Sequence, residues 1–304
     1  MFQIIDPHQV TDTMLVSSTV PETDYAEWNS ATSYTVGAKV IRTSVHKVFE
    51  NLVPGVDATL PENATGGSAP RWLDLGSTNR WAMFDDKVGT ATTSNSSLNV
   101  VLDPGSTSGL GLLELVGGTL TITATEGAGG PAVYSQVINL DGTPVTSFFD
   151  WFYSDREQRS DVVLTDLPAQ FFDLRLTITL TPYSGQAAIG VCKLGKAHSI
   201  GCTEYGAKAT IDSYSRKERD AFGAHSIARR AFSKRTNQRI ITDANGFNRI
   251  FRLLSRLESI ACIYVASSDA KYQPLVVYGF YKSFEIDVSY FTTHYCNLEI
   301  EGLV

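Results

Sequence analysis

Residues 174–181 read Leu-Arg-Leu-Thr-Ile-Thr-Leu-Thr. Leu174, Leu176, Ile178 and Leu180 alternate strictly with Arg175 and three threonines. Successive side chains of a strand point to opposite faces, so this period buries one face and turns the other to water or a second layer. Working outward, strand signals recur at 98–102, 119–125, 134–140 and 187–193, separated by Gly, Pro and Asp turns. Short strands at such spacing predict a β-sandwich over residues 77–200.

On the N-terminal side, residues 27–76 are rich in Gly, Pro, Thr and Val. Residues 38–42 and 45–50 are short strand candidates around Thr43-Ser44, which predicts a small β module. Residues 1–26 show no sustained period and read as an extended arm. On the C-terminal side the pattern changes. After strand signals at 207–211 and 226–232, Phe247, Ile250, Phe251, Leu254 and Leu257 follow helical spacing, with Asp243 or Asn245 as cap and Arg249, Arg252 and Arg256 opposite. Strand signals at 261–266, 275–290 and 295–301 follow, so 201–304 reads as an α+β assembly or docking domain. The expectation is a mainly β, multidomain chain, in keeping with a length of 304 residues.

Composition narrows the class. Hydrophobic residues are 43% and charged residues 19%, enough apolar surface to drive folding through most of the length. The longest apolar stretches, near 110–116 and 275–281, fall well short of the roughly 20 residues of a membrane span. The N-terminal segment lacks the layout of a secretory signal, so synthesis in a cytoplasm is expected, without membrane insertion. Cys192, Cys202, Cys262 and Cys296 lie far apart with no Cys-x-x-Cys pair and read as four buried thiols.

Catalytic patterns are few. Gly109-Leu-Gly111 lacks the third glycine of a dinucleotide loop, and no Gly-Lys-Ser/Thr or Gly-x-Ser-x-Gly occurs. His8, His46, His198, His225 and His294 are scattered, without metal-ligand spacing. No catalytic residue, metal or cofactor is assigned. Asp150, Asp155, Glu157 and Asp161 could be proposed for glycoside cleavage, which needs two carboxylates several Å apart. A solvated acidic loop is the preferred reading of them, although the spacer 143–161, with Phe148-Phe-Asp-Trp-Phe-Tyr153, is too aromatic for an idle loop.

Charge is divided unevenly. Between Arg216 and Arg256 there are eleven Lys/Arg against three acids, about +8 within a chain of net charge −7. Nucleic-acid binding would use such a cluster with interleaved aromatics. Phe222, Phe232 and Phe251, however, read as core positions, and no nucleic-acid partner is expected. Arg229, Arg230, Arg249, Arg252 and Arg256 are instead the candidate subunit contacts, through forks that pair with carboxylates on a neighbour.

Two resemblances arise. Trp28-Asn-Ser-Ala-Thr-Ser-Tyr34-Thr-Val-Gly37-Ala-Lys-Val40, with Val48-Phe49-Glu50, Pro61, Pro70 and Trp72, resembles the small chitin-binding type carbohydrate module. Val48 or Phe49 stands where that family has Tyr, and a single Trp72 replaces its paired Trp. The resemblance implies carbohydrate binding, with Trp28, Tyr34 and Trp72 as candidates to stack on a sugar face. The alternative is that these rings are core staples of a module too small to fold without them. The junction Arg71-Trp-Leu-Asp-Leu-Gly-Ser-Thr-Asn-Arg-Trp-Ala-Met-Phe-Asp-Asp86, with residues 212–223 and the closing 296–304, is similar to tail proteins of bacteriophages. It implies a small module leading into a jelly-roll sandwich and then a C-terminal domain. Trp72 is then expected in the module and Trp81 at the sandwich edge, with a stiff coupling between them.

The expected function is a structural component of a virion tail, made in the bacterial host cytoplasm. Its partners would be copies of itself and other tail proteins, with a host surface glycan as a further one. A receptor-binding lectin is the alternative, and a glycan-degrading tail enzyme the third reading.

Overall fold

The computed structural model describes residues 1–303 apart from 144, 156, 220–222, 224 and 268; at 225, 270 and 271 only the backbone is described. Strand makes up 48% of the chain and helix 10%, so the fold is mainly β, as the alternating pattern predicts. The largest sheet has nine strands in the order Val162–Leu164, Gly109–Leu113, Val191–Thr203, Phe2–His8, Cys262–Val265, Val276–Asp287, Thr293–Gly302, Phe232–Asp243 and Lys208–Ser213. Every ladder in it is antiparallel.

Cys202 pairs with Ile241 and Thr203 with Ile240, joining Val191–Thr203 to Phe232–Asp243. This contact closes six of the nine strands into a barrel, which leaves those staves without free edges. Phe2, Ile4, Ile200, Ile240, Tyr264, Cys296, Leu298 and Ile300 form its core. The helix Phe247–Arg256 covers that core with Ile250, Leu253 and Leu254, and Tyr281 Oη donates to Leu254 O at 2.9 Å. The helical spacing is therefore correct but its cap is not: Gly246 occupies the N-cap position, while Asp243 caps the preceding 3-10 turn by accepting from Asn245 N at 2.8 Å.

A second, five-stranded sheet runs Ala132–Asn139, Thr119–Glu126, Leu174–Thr181, Leu98–Leu102 and Leu15–Ser18. Its inner residues, including Leu98, Val100, Ile122, Leu176, Ile178 and Leu180, share one core with Leu110, Leu112, Val162, Cys192 and Leu194 of the nine-stranded sheet. The two sheets thus face each other as a sandwich, and one layer of it is an extension of the barrel sheet. Gly109-Leu-Gly111 lies in that layer. A side chain on Gly111 would sit 2.0 Å from Ile263 Cδ1, so the glycines serve close packing of Gly109–Leu113 over the barrel strands.

The expected N-terminal arm is corrected. Phe2–His8 is a central stave, paired with Val191–Thr203 on one side and Cys262–Val265 on the other, and Phe2, Ile4 and Ile5 are fully buried. Leu15–Ser18 then joins the sandwich sheet through Leu98–Leu102. The segment has too few apolar residues to show a period, and its pairing partners lie about 190–260 residues away in sequence. The expected division at 200/201 likewise falls inside the strand Val191–Thr203. Of the four cysteines, Cys192, Cys262 and Cys296 are buried, but Cys202 is exposed, past the end of the ladder with Phe2–His8.

The small module is a three-stranded sheet, Lys39–Arg42, Lys47–Asn51 and Trp72–Ser77, beside the pair Ser33–Tyr34 and Gly55–Val56. Val40, Phe49 and Trp72 are its buried centre.

Candidate assembly surfaces

Trp72 has 0% exposure. Its Nε1 donates to Asp57 Oδ2 at 3.1 Å, and its ring meets Tyr34 edge-on at 5.4 Å. The Tyr34 hydroxyl accepts from Asn29 N at 2.8 Å. Trp28 is half-buried, packs against the same centre, and has the Arg42 guanidinium 5.3 Å over its ring. Trp28, Tyr34 and Trp72 are thus brought together as a packed cluster. Trp72 offers no face on which a sugar could stack, which corrects its expected role; a module this small spends its large rings on its own core.

Burial pushes the Asp57 carboxyl up, but hydrogen bonds from Thr59 and Trp72 and the charge of Arg71 outweigh it, holding Asp57 below the usual carboxylate range. Glu62 is lowered in the same way, burial being overcome by the bond from Arg42 at 3.1 Å.

The seam between module and sandwich is densely bonded. Trp81 is buried in the sandwich core and stacks on His46, in the module's hairpin turn, at 3.9 Å and 20°. His46 Nε2 lies 2.5 Å from Asp12 Oδ1 and Nδ1 lies 3.0 Å from Glu22 Oε1. Thr78, fully buried, donates to Glu22 Oε1 at 2.9 Å, and Thr93 N donates to Asn79 Oδ1 at 2.8 Å. Lys193, a buried barrel-sheet lysine, fixes the segment that follows Trp81. Its Nζ donates to Phe84 O, Asp85 O and Asp86 Oδ1, each at 2.9 Å. The lysine was invisible as a functional residue in the sequence, where it ends an apolar run without a neighbouring acid.

The arginines divide. Arg256 Nη2 donates to Asp6 Oδ2 at 2.5 Å and Arg249 Nη2 to Ser199 O at 3.0 Å, so both are engaged by the barrel of their own chain. Arg252 is exposed on the same helix. Arg229 and Arg230 belong to a different feature, a long hairpin. Lys208–Ser213 pairs with Phe232–Asp243, and beyond it Arg216–Arg219 pairs with His225–Ala228 as a two-stranded ribbon. All four residues of Arg216–Arg219 are exposed, as are Arg229 and Arg230. Phe232 and Phe251 are about half exposed, which corrects their expected core placement; Phe222 lies outside the described residues.

The acidic spacer holds the third feature. Phe148–Tyr153 is a helix with no buried residue. Ser147 Oγ accepts from Asp150 N at 3.2 Å, while Asp150 Oδ2 accepts from Thr146 Oγ1 at 2.5 Å, a reciprocal cap. These bonds hold the Asp150 carboxyl below its ordinary range. Asp161 is engaged elsewhere: it is buried, lies 3.2 Å from Lys234 Nζ and accepts from Glu114 N at 3.3 Å. Two of the four acids weighed for glycoside cleavage therefore serve local structure. The Asp161–Lys234 pair lies in a cleft of about 440 Å³ lined also by Val88, Leu113, Phe232 and Tyr278.

Among the described residues, no group of three or more His, Cys, Asp or Glu is placed to hold a metal ion, and no helix is long and apolar enough to cross a membrane. Comparison of the chain with family models, with curated proteins and with solved structures returns no match.

Proposed function

We propose that this chain is a structural subunit of a bacteriophage tail, at the tip, in the baseplate or as a minor tail protein, assembling with copies of itself and with neighbouring tail proteins. The observation that carries this reading is the ribbon of the hairpin, Arg216–Arg219 with His225–Ala228. An isolated two-stranded ribbon is marginal in water, and this one carries Arg216, Lys217 and Arg219, with Arg229 and Arg230 just past its end, on a chain of net charge −7. A ribbon of that kind gains stability by docking on an acidic neighbour. The tail-protein resemblance of residues 71–86 supports the same reading, and the densely bonded seam suits a part that must hold its place under load. The jelly-roll form implied for the sandwich, the docking role of 201–304 and a contribution to host attachment belong to this proposal.

The lectin alternative loses its principal residue with Trp72 enclosed. The test is imaging of particles by electron microscopy with the chain tagged at an exposed site. Density for the chain at a fixed symmetry position in the tail is the expected result. Particles that are complete and infective without the chain would overturn the proposal.

A further inference from the structure

Five of the six residues of the helix Phe148–Tyr153 are aromatic, and Phe148, Phe149, Trp151, Phe152 and Tyr153 are 87, 70, 71, 73 and 73% exposed. With about 150–250 Å² per aromatic side chain, they present roughly 500–900 Å² of apolar surface to water. The largest patch of an ordinary monomer is about 300–600 Å², and a stable interface needs about 800 Å² from each partner. The helix owes its shape to the Ser147–Asp150 cap and to a tied loop base, where Gly142 N donates to Glu157 O at 2.8 Å and Glu157 N to Thr143 Oγ1 at 3.0 Å. It is held out as a preformed knob with no core behind it.

Residues 141–161 carry five acids against two arginines. That charge is wrong for an anionic membrane and calls for an apolar surface rimmed with cations. The hairpin is such a surface: Ile211, Ile227 and Phe232 are each more than half exposed, and Lys217 lies directly across from Ile227. Residues 214–230 add five cations against two acids. Resting on the assembly reading above, we infer that the aromatic helix of one copy docks on the basic hairpin of a second copy. The contact is head-to-tail. Each docked pair leaves one helix and one hairpin unused, so copies add until a ring closes or a filament grows.

The inference is tested by light scattering coupled to gel filtration on the full chain, across a concentration series. The variants are Phe149→Ser with Trp151→Ser, and Arg229→Glu with Arg230→Glu. Wild type is expected to show concentration-dependent oligomers, and the aromatic variant to weaken association by at least about 100-fold, because buried aromatics dominate interface energy. Each variant alone is expected to be monomeric, yet the two mixed are expected to give a one-to-one dimer, since one keeps an intact hairpin and the other an intact helix. The altered side chains are exposed, and unchanged circular dichroism checks the fold. An aromatic variant that associates like wild type, or a mixture that stays monomeric, overturns the inference. So does a monomeric wild type, including one that pellets with phosphatidylcholine vesicles. Each of these leaves the tail assignment to be decided separately by imaging.

Discussion

Replacing Lys193 with Met removes one ammonium and keeps nearly the same side-chain volume. Lys193 Nζ holds three acceptors at 2.9 Å: the carbonyls of Phe84 and Asp85 and the Asp86 carboxylate. Asp86 is 83% exposed, so that ion pair contributes about 0–1 kcal/mol after screening. The two carbonyl bonds come from a charged donor at about 1.5–3 kcal/mol each, and both carbonyls are left without it. Against this, the desolvation cost of a buried ammonium disappears and the thioether packs beside Tyr278. The net expectation is a loss of about 2–4 kcal/mol. At about 2 °C per kcal/mol for a chain of this length, the melting midpoint falls by roughly 4–8 °C. Differential scanning calorimetry measures it, and hydrogen exchange should quicken over residues 82–93 before it changes elsewhere. Asp86→Asn is the control and should shift the midpoint little. The reasoning is refuted if Lys193→Met melts like wild type, or if Asp86→Asn costs as much, which would make the exposed charge rather than the carbonyls the holding element.

Gly195→Ala should destabilise by about 1–3 kcal/mol or more, because the new methyl would sit 1.9 Å from the Asp6 carbonyl oxygen and two paired strands would have to part; a denaturation midpoint unchanged from wild type would show that the staves are not so close. Burial pushes the Cys192 and Cys262 thiols up to about 12, and Cys202 is exposed, so a thiol reagent under native conditions should label Cys202 first, read by peptide mass mapping. Asp57 and Glu62 have folded values below their ordinary 3.8 and 4.5, so the stability they contribute is full above pH 4.5 and is lost as pH falls through those values and below. Tryptophan fluorescence should report the small module loosening in that acid range, and Asp57→Asn should blunt the response.

The β character was legible because burial leaves a period-two trace. The strands Leu98–Leu102 and Leu174–Thr181 lie where the alternation places them, with Leu176 opposite Leu102 and Ile178 opposite Val100. The helix Phe247–Arg256 was legible from its 3.6-residue stripe. What alternation cannot carry is which strands pair. Phe2–His8 has too few residues to show its period, and its partners, such as Gly201 for Phe2 and Tyr264 for Ile4, are joined to it only by the fold. The barrel therefore could not be read, and its first stave passed for an arm. The aromatic run 148–153 was conspicuous in composition, but exposure is a property of what lies behind a segment, which composition does not report. Arg249 and Arg256 looked free because Ser199 O and Asp6 are distant in sequence.

The order of the chain bears on how the assembly surfaces work. The barrel is built from Phe2–His8 and from strands after residue 190, so the small module and most of the sandwich are threaded between its first and second staves. Closing a loop of that length costs only slowly growing entropy, but it delays barrel formation until the C-terminal strands are available. The hairpin proposed as one contact is continuous with a barrel stave, since Phe232–Asp243 pairs with Lys208–Ser213 at one end and with Thr293–Gly302 at the other. The aromatic knob proposed as the other contact descends to Asp161, which is tied to Lys234 of that same stave. Within one copy the strand Phe232–Asp243 and the partly buried Asp161–Lys234 pair thus lie between the two surfaces. A ring of copies built on them would carry strain from contact to contact along sheet and barrel. The small module, held separately by the stack of His46 on Trp81 and by the contacts of His46 with Asp12 and Glu22, would stand outside that path.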